Sequence, residues 1–182
     1  DGKLYSLSQD GQAVLLTDGK PSVIRYTPNG KGLLWQMESN GMGLSYEGKS
    51  RSVTDSVDQS VLSFDGTAAA YVTAAALYWV DMTTGESILV SEDLAQPLYL
   101  TLSPDGDFLV YNDQDGQVWM SRRGGTPELL SEGMLPVFVS QNGEIVYLLD
   151  RYDACLYSLR HGVLTFLTDS FQNFYTHRTG TE

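Results

Sequence analysis

Short apolar runs separated by turn residues extend along the whole chain. The clearest stretch is residues 100–132, in which the runs LTL, DFLVY, QVWMS and PELL alternate with turn-forming segments. Runs of this length predict strands, and Pro-Asp-Gly and Asp-Gly are favoured at tight turns. The stretch therefore predicts four short antiparallel strands joined by three hairpin turns.

A strand-ending motif, an apolar residue followed by Ser or Thr and then an acid, recurs along the chain. Its acids are Asp18, Asp55, Glu92, Glu132 and Asp169. They lie 37, 37, 40 and 37 positions apart. A fixed period near forty with four strands in each period is typical of β-propeller blades.

The period divides this single domain into blades. Complete blades are predicted at residues 20–55, 56–92, 93–132 and 133–169. Residues 1–19 align without a gap on residues 115–133, which predicts the third and fourth strands of a further blade, and residues 170–182 supply its first strand. We expect an all-β propeller of four-stranded antiparallel blades, with five blades closed by pairing of the two termini. The alternative is part of a six- or seven-bladed ring, because a chain that opens in the middle of a blade suggests a fragment.

The turn Ser103-Pro104-Asp105-Gly106, followed by an apolar strand, resembles the repeat of the TolB-like family of β-propellers. The other units carry it as TPNGKGLLW, SFDGTAAAY and SQNGEIVYL, so the resemblance covers almost the whole chain with degenerate motifs. It implies a bacterial protein that works outside the cytoplasmic membrane, in the periplasm or at the cell surface. It says little about activity, since such motifs identify a blade rather than a function.

Composition narrows the partners. The net charge of −12 disfavours binding to nucleic acid and to anionic membrane surfaces. Such binding also requires clustered cations, and only Arg122 and Arg123 are adjacent in this sequence. No apolar run approaches the roughly 20 residues that cross a bilayer, so we expect no direct membrane insertion. Cys155 has no second cysteine to pair with in this sequence. We expect a monomer.

The sequence predicts no catalytic, metal or cofactor site. It lacks a Gly-x-Ser-x-Gly elbow, and the predicted first strands contain no Asp or Glu that could serve as a glycosidase acid–base pair. Asp113-x-Asp115-Gly116 resembles the start of a calcium loop, but an Asp-Gly hairpin explains it. His161 is predicted in a solvated turn, and His177 near a strand end.

Loops between second and third strands, together with the connections between blades, are predicted to open onto one face of the disc. If the domain binds a partner there, exposed aromatic residues beside charged ones are the candidates, since aromatic side chains anchor interfaces. The candidates are Tyr99, Asp113, Met134, Arg151, Tyr152 and Phe171. The alternative is that these residues only cover the blade ends.

These patterns favour a non-catalytic domain that binds a protein or peptide, as part of a larger bacterial exported or surface-anchored protein. Two other functions stay open: a hydrolase or lyase with its site in the central channel, and a small-ligand sensor.

The third strands carry one further structural prediction. An aromatic residue recurs in the third strands and is predicted to pack between blades, at Tyr5, Tyr78, Trp119 and Tyr157.

Overall fold

The computed structural model of the protein describes residues 2–7, 11–74, 76–92, 94 and 99–169. Every helix or strand that it contains in these ranges is a β-strand. Accordingly, no helix in the described ranges is long and apolar enough to span a membrane. The predicted all-β class is confirmed.

The strands form five antiparallel sheets, numbered here in chain order. The first sheet contains β1 (Leu4–Leu7) and β2 (Ala13–Thr17). The second contains β3 (Pro21–Tyr26), β4 (Gly32–Met37), β5 (Met42–Tyr46) and β6 (Lys49–Thr54). The third contains β7 (Gln59–Leu62), β8 (Ala68–Thr73), β9 (Ala76–Asp81) and β10 (Ser87–Ser91).

The fourth sheet contains β11 (Leu100–Leu102), β12 (Phe108–Asn112), β13 (Gln117–Arg122) and β14 (Glu128–Glu132). The fifth contains β15 (Met134–Val139), β16 (Ile145–Asp150), β17 (Leu156–Arg160) and β18 (Val163–Thr168). In each four-stranded sheet the strands lie side by side in chain order. These are the four-stranded antiparallel blades that the sequence predicted.

The turn between the first and second strands has the same hydrogen bonds in each four-stranded sheet. In the fourth sheet the Ser103 hydroxyl donates to Asp105 Oδ1 at 2.6 Å and accepts the backbone N–H of Phe108 at 3.0 Å. The Gly106 N–H closes the turn on the Ser103 carbonyl oxygen at 2.8 Å. Gly106 has a φ of 73°, which L side chains rarely adopt. The motif therefore stabilises the turn. Its Ser and Asp side chains form the hydrogen bonds that water would otherwise form at the buried end of the hairpin.

The apolar core lies between adjacent sheets. One cluster joins the second and third sheets through Leu34, Leu44 and Tyr71. Another joins the third and fourth through Leu77, Leu109 and Tyr111, and a third joins the fourth and fifth. The third and fourth sheets therefore each bury their two faces against different neighbours, which is how propeller blades pack.

The first strands lie on the inside of this arrangement. Strand β11 contacts both β7 and β15, the first strands of the neighbouring sheets. The fourth strands lie at the opposite edge of each sheet, and the acids of the strand-ending motif stand at their ends, from Asp18 after β2 to Asp169 after β18. Charge at an outer edge discourages pairing with another chain.

Two sequence predictions on the core have different outcomes. Tyr78, Trp119 and Tyr157 pack against the clusters between sheets, as predicted. Tyr5 is 52% exposed, so its predicted burial is wrong for the described residues. Closure of a five-bladed ring requires residues 170–182, which lie outside the described residues, so closure stays a prediction.

Candidate functional site

Two of the loops that were predicted to share one face are in contact. The Gly133 N–H, in the connection between the fourth and fifth sheets, donates to the carbonyl oxygen of Gly116 at 2.9 Å. Gly116 belongs to the loop between β12 and β13. The surface formed by residues 99, 113–116, 132–134 and 151–155 is called the connection face below, and the opposite surface, which carries the Ser/Thr-x-Asx-Gly turns, is called the turn face.

Asp113 on the connection face stabilises its own loop. Its Oδ1 accepts the backbone N–H groups of Asp115 and Gln117, at 3.0 and 2.9 Å. Its Oδ2 accepts the indole N–H of Trp119 at 2.9 Å. Three donors thus satisfy one carboxylate, which explains the resemblance to a calcium loop by hairpin chemistry alone. No group of acids, histidines and cysteines suited to a metal ion occurs in the described ranges.

Met134 is not the exposed residue that the sequence suggested. It is 9% exposed and belongs to the core cluster that contains Val118 and Leu148. Its position at the first residue of β15 places the side chain between the fourth and fifth sheets. The expectation of a surface role for Met134 is therefore corrected to core packing. Phe171, another candidate, lies outside the described residues.

Tyr99 and Tyr152 are exposed on the connection face. Tyr99 is 46% exposed, and its backbone N–H donates to Asn112 Oδ1 at 2.7 Å. Tyr152 is 84% exposed, and its backbone N–H donates to Asp150 Oδ1 at 2.7 Å. This bond, with a second from the N–H of Asp153, lowers the pKa of Asp150. Arg151 is exposed beside Tyr152 and approaches Gly116. Of the five candidates that the structure describes, Tyr99, Arg151 and Tyr152 are exposed.

A groove of about 400 Å³ opens between the third and fourth sheets next to these loops. Its floor includes Trp119 and Tyr111, and Glu92, Asp113 and Asp115 line its walls. Burial raises the pKa of the Tyr111 phenol, and a hydrogen bond with Ser91 opposes the rise. The groove is therefore an acidic recess over the core between these sheets.

A second acidic recess, of about 350 Å³, lies on the turn face between the third and fourth sheets. Its carboxylates are used within the protein. Asp65 accepts the Ser63 hydroxyl and the Thr67 N–H, both at 2.9 Å. Asp107 pairs with Arg123 Nε at 2.7 Å. These contacts hold the turns in place, so we assign the carboxylates of this recess a structural role.

A cavity of about 590 Å³, called the channel mouth below, lies among the first strands on the turn face. Its lining includes Ile24, Tyr26, Phe64, Pro104 and Phe138. Tyr26 is 77% exposed, and Ile24 and Phe64 are exposed as well. An open concavity lined by aromatic and aliphatic side chains is typical of binding sites.

Equivalent positions of the four first strands meet in this lining. The residue two positions before the Ser or Thr of each turn is Arg25, Val61, Thr101 and Phe138 in successive sheets. Each pairs with the equivalent residue of the second strand, for example Val61 with Ala70 and Thr101 with Val110. These four positions were not predicted as a group from the sequence, although their constant offset from the turn motif was the signal for it.

Arg25 is the cation of this ring. The described lining contains no Asp, Glu, His or Cys, so Arg25 and the Tyr26 phenol are its ionisable groups. The Arg25 side chain is exposed and forms no ion pair or hydrogen bond with the described residues. By contrast, Lys20 and Lys31 pair with Glu38 and Glu47 at 2.6 and 3.0 Å. Among the described residues, an unpaired guanidinium therefore stands in a cavity whose lining is otherwise uncharged.

Comparisons with known proteins agree with this architecture. A structure of TolB from Acinetobacter baumannii is similar, with a TM-score of 0.55 at 17% identity over 91% of this chain and 48% of the TolB chain. A structure of a nidogen/laminin complex is similar, with a TM-score of 0.52 at 14% identity over 87% of this chain and 67% of that chain.

These identities show the fold alone, and this chain spans about half the length of the TolB chain. No family model and no curated protein matches the sequence. Both similar structures are β-propellers, and the four-stranded sheets of this chain match the blades of that fold. The chain is therefore a β-propeller, and the resemblance to TolB-like propellers that its repeat suggested is confirmed at the level of the fold.

Proposed function

We propose that this chain is a non-catalytic propeller domain that binds a protein or peptide at the mouth of its central channel. The observation that carries the proposal is the cavity of about 590 Å³ with exposed Ile24, Tyr26 and Phe64. Exposed aromatic side chains that surround a concavity bury much area on binding and are common anchors of interfaces. The open rim suits a segment of a macromolecule better than an enclosed metabolite.

The chemistry of the lining supports binding over catalysis. A hydrolase or lyase in the channel needs a nucleophile or a general acid–base pair within reach of the substrate. The described lining offers an arginine, a tyrosine and the hydroxyl groups of Thr27, Ser63 and Thr101, but no carboxylate or imidazole. Thr27 and Ser63 already use their hydroxyl groups in the turns.

The partner and the location are inferred from the fold. One of the similar structures is a complex of nidogen with laminin, so a propeller of this kind takes part in an assembly of proteins. The TolB-like repeat supports an extracytoplasmic location in a bacterium, within a larger exported or surface-anchored protein. We propose a monomeric domain with a protein or peptide partner, without nucleic acid.

The connection face is a second surface for the same function. Tyr99, Arg151 and Tyr152 are exposed there, and Asp113 positions the adjoining loop. Large exposed aromatic residues beside charged ones favour this surface as well. Its exposed aromatic residues stand on separate loops, whereas those of the channel mouth line one cavity, so the channel is the first candidate.

Selection from a random peptide library displayed on phage tests the proposal. The wild-type domain is expected to enrich related sequences that carry an aromatic or aliphatic residue. Binding of these peptides should weaken about tenfold to a hundredfold in Tyr26→Ala and Phe64→Ala, the range of an interface anchor. Tyr152→Ala, which removes an exposed ring from the connection face, is the comparison variant and should bind as wild type when the channel mouth is the site.

Two outcomes contradict the channel proposal. Enriched peptides that depend on Tyr152 and not on Tyr26 would move the site to the connection face. Failure to enrich any related set of sequences would remove the peptide-binding function itself. Circular dichroism of each variant confirms that the sheets are intact before binding is compared.

A further inference from the structure

We propose that Arg25 makes the channel mouth selective for a peptide segment in which an Asp or Glu side chain adjoins an aromatic or aliphatic residue. This inference rests on the proposed function, since it names the partner chemistry of the same cavity. The carboxylate is placed on the Arg25 guanidinium and the apolar neighbour on Tyr26 and Phe64, all of which line one cavity.

The first argument is the position of the charge. Arg25 lies on β3, in the ring formed with Val61, Thr101 and Phe138, and its neighbours in the lining are Ile24 and Tyr26. A bound segment that covers these apolar side chains excludes water from Arg25, and a charge interaction strengthens as the local dielectric falls. A single cation in such surroundings discriminates strongly between a carboxylate and a neutral side chain.

The second argument is that Arg25 has no partner among the described residues, although the protein is rich in acids. Five other cations form ion pairs, among them Arg123 with Asp107 and Arg160 with Glu144. The described lining of the cavity brings no carboxylate to Arg25. Its five N–H donors are therefore available for a carboxylate from outside, which a guanidinium can bind through two parallel hydrogen bonds.

The third argument concerns the whole molecule. A net charge of −12 repels acidic ligands. In about 0.1 M salt this repulsion is screened at distances beyond about 10 Å. A strongly acidic peptide is therefore disfavoured, while one carboxylate next to an apolar anchor gains the local contact with little of the repulsion. The ligand that fits is apolar with a single acid rather than polyanionic.

A double-mutant cycle tests the inference with a peptide taken from the library selection. The peptide and its Asp→Asn or Glu→Gln form are titrated against wild type and Arg25→Ala by fluorescence anisotropy. Loss of either charge should weaken binding about tenfold to a hundredfold, the range for hydrogen bonds to charged groups. Loss of both should weaken binding by no more than one loss does, because each removes the same interaction.

Lys49→Ala is the matched control, since it removes an exposed cation on β6 that does not line the cavity. It should bind both peptide forms as wild type does. Arg25→Glu should reverse the charge preference. A library selection that uses this variant as its target should enrich peptides with Lys or Arg beside the apolar residue. Amidation of the peptide C-terminus should leave the affinity unchanged, because the carboxylate is that of a side chain.

The outcomes separate this inference from the proposed function. Peptides that need Tyr26 but bind Arg25→Ala as tightly as wild type would overturn the role of Arg25 and keep the channel as a site. Peptides whose affinity falls on amidation and not on Glu→Gln would overturn the side-chain assignment. Peptides insensitive to both Tyr26 and Arg25 would overturn the proposed function.

Discussion

Trp79 of β9 donates its indole N–H to the carbonyl oxygen of Gly106 at 2.9 Å, across the interface between the third and fourth sheets. Trp79 is buried in the cluster between these sheets. Gly106 is the closing residue of the turn between β11 and β12. One side chain thus contributes to the interface through apolar area and through a buried hydrogen bond with the neighbouring turn.

Replacing this indole tests the contribution of the interface. In Trp79→Phe the Gly106 carbonyl loses a buried donor, so we expect the free energy of unfolding to fall by about 1–3 kcal/mol. Chemical denaturation measures the change. Trp119→Phe is the control, because Trp119 donates to Asp113 within its own sheet and is partly exposed, so water can replace the bond. Equal losses in the two variants would contradict a special role for the contact between sheets.

The glycines of two turns differ in what surrounds them. Gly30 and Gly106 have φ of 71° and 73°, but a Cβ at Gly30 meets no atom within 4 Å, whereas one at Gly106 lies 2.4 Å from the Ala68 Cβ. We expect Gly30→Ala to lower the free energy of unfolding by about 1–2 kcal/mol through the backbone alone. Gly106→Ala should lose about 1–3 kcal/mol more from overpacking between sheets. Thermal unfolding of both variants measures the difference, and equal losses would show that the sheets adjust freely.

The hydroxyl of the turn motif is expected to stabilise the hairpin. Ser103 is fully buried and connects Asp105 with the Phe108 N–H. Ser103→Ala leaves both groups without this partner, so we expect a loss of about 1–3 kcal/mol in the free energy of unfolding. Ser103→Thr keeps the hydroxyl, as Thr27 does at the equivalent position, and should retain most of the stability. A Thr variant as unstable as the Ala variant would show that side-chain volume, not hydrogen bonding, decides.

The carboxylate of Asp81 should make stability depend on acid pH. Burial alone would raise its pKa, but hydrogen bonds from the Thr83 hydroxyl and from the Thr84 and Thr83 N–H groups, with the charge of Arg123, lower it overall. A carboxyl whose pKa is lower in the folded state stabilises above its unfolded pKa of about 3.9, and the contribution is lost as pH falls through the folded value.

We therefore expect the stability difference between wild type and Asp81→Asn to be largest at neutral pH and to shrink as pH falls from about 5. Urea denaturation across this range measures the difference. Glu86→Gln removes a charge from the same loop at an exposed position and is the control. A difference that stays constant with pH would show that Asp81 contributes through shape and not through its charge.

The blades were predictable from the sequence because their information is local. Ser103, Asp105 and Gly106 specify a hairpin among themselves, through side-chain hydrogen bonds and one left-handed residue. The same triad recurs with Thr27, Asn29 and Gly30, so the repeat and its strands follow from short-range pattern. The binding candidates were less predictable. The sequence predicts Met134 in an exposed connection between blades, but it is the first residue of a strand and is buried against the neighbouring sheet.

The sequence by itself determined the strands, their turns and the order in which they pair, because each of these depends on residues fewer than about twenty positions apart. Tertiary structure decided which faces of the sheets are buried and what lines the channel. Arg25, Val61, Thr101 and Phe138 are 36, 40 and 37 positions apart in succession, and only the packing of sheets around one axis brings them into a common cavity. Tyr5 shows the same dependence, since an aromatic residue at a core position stays exposed where no described sheet covers it.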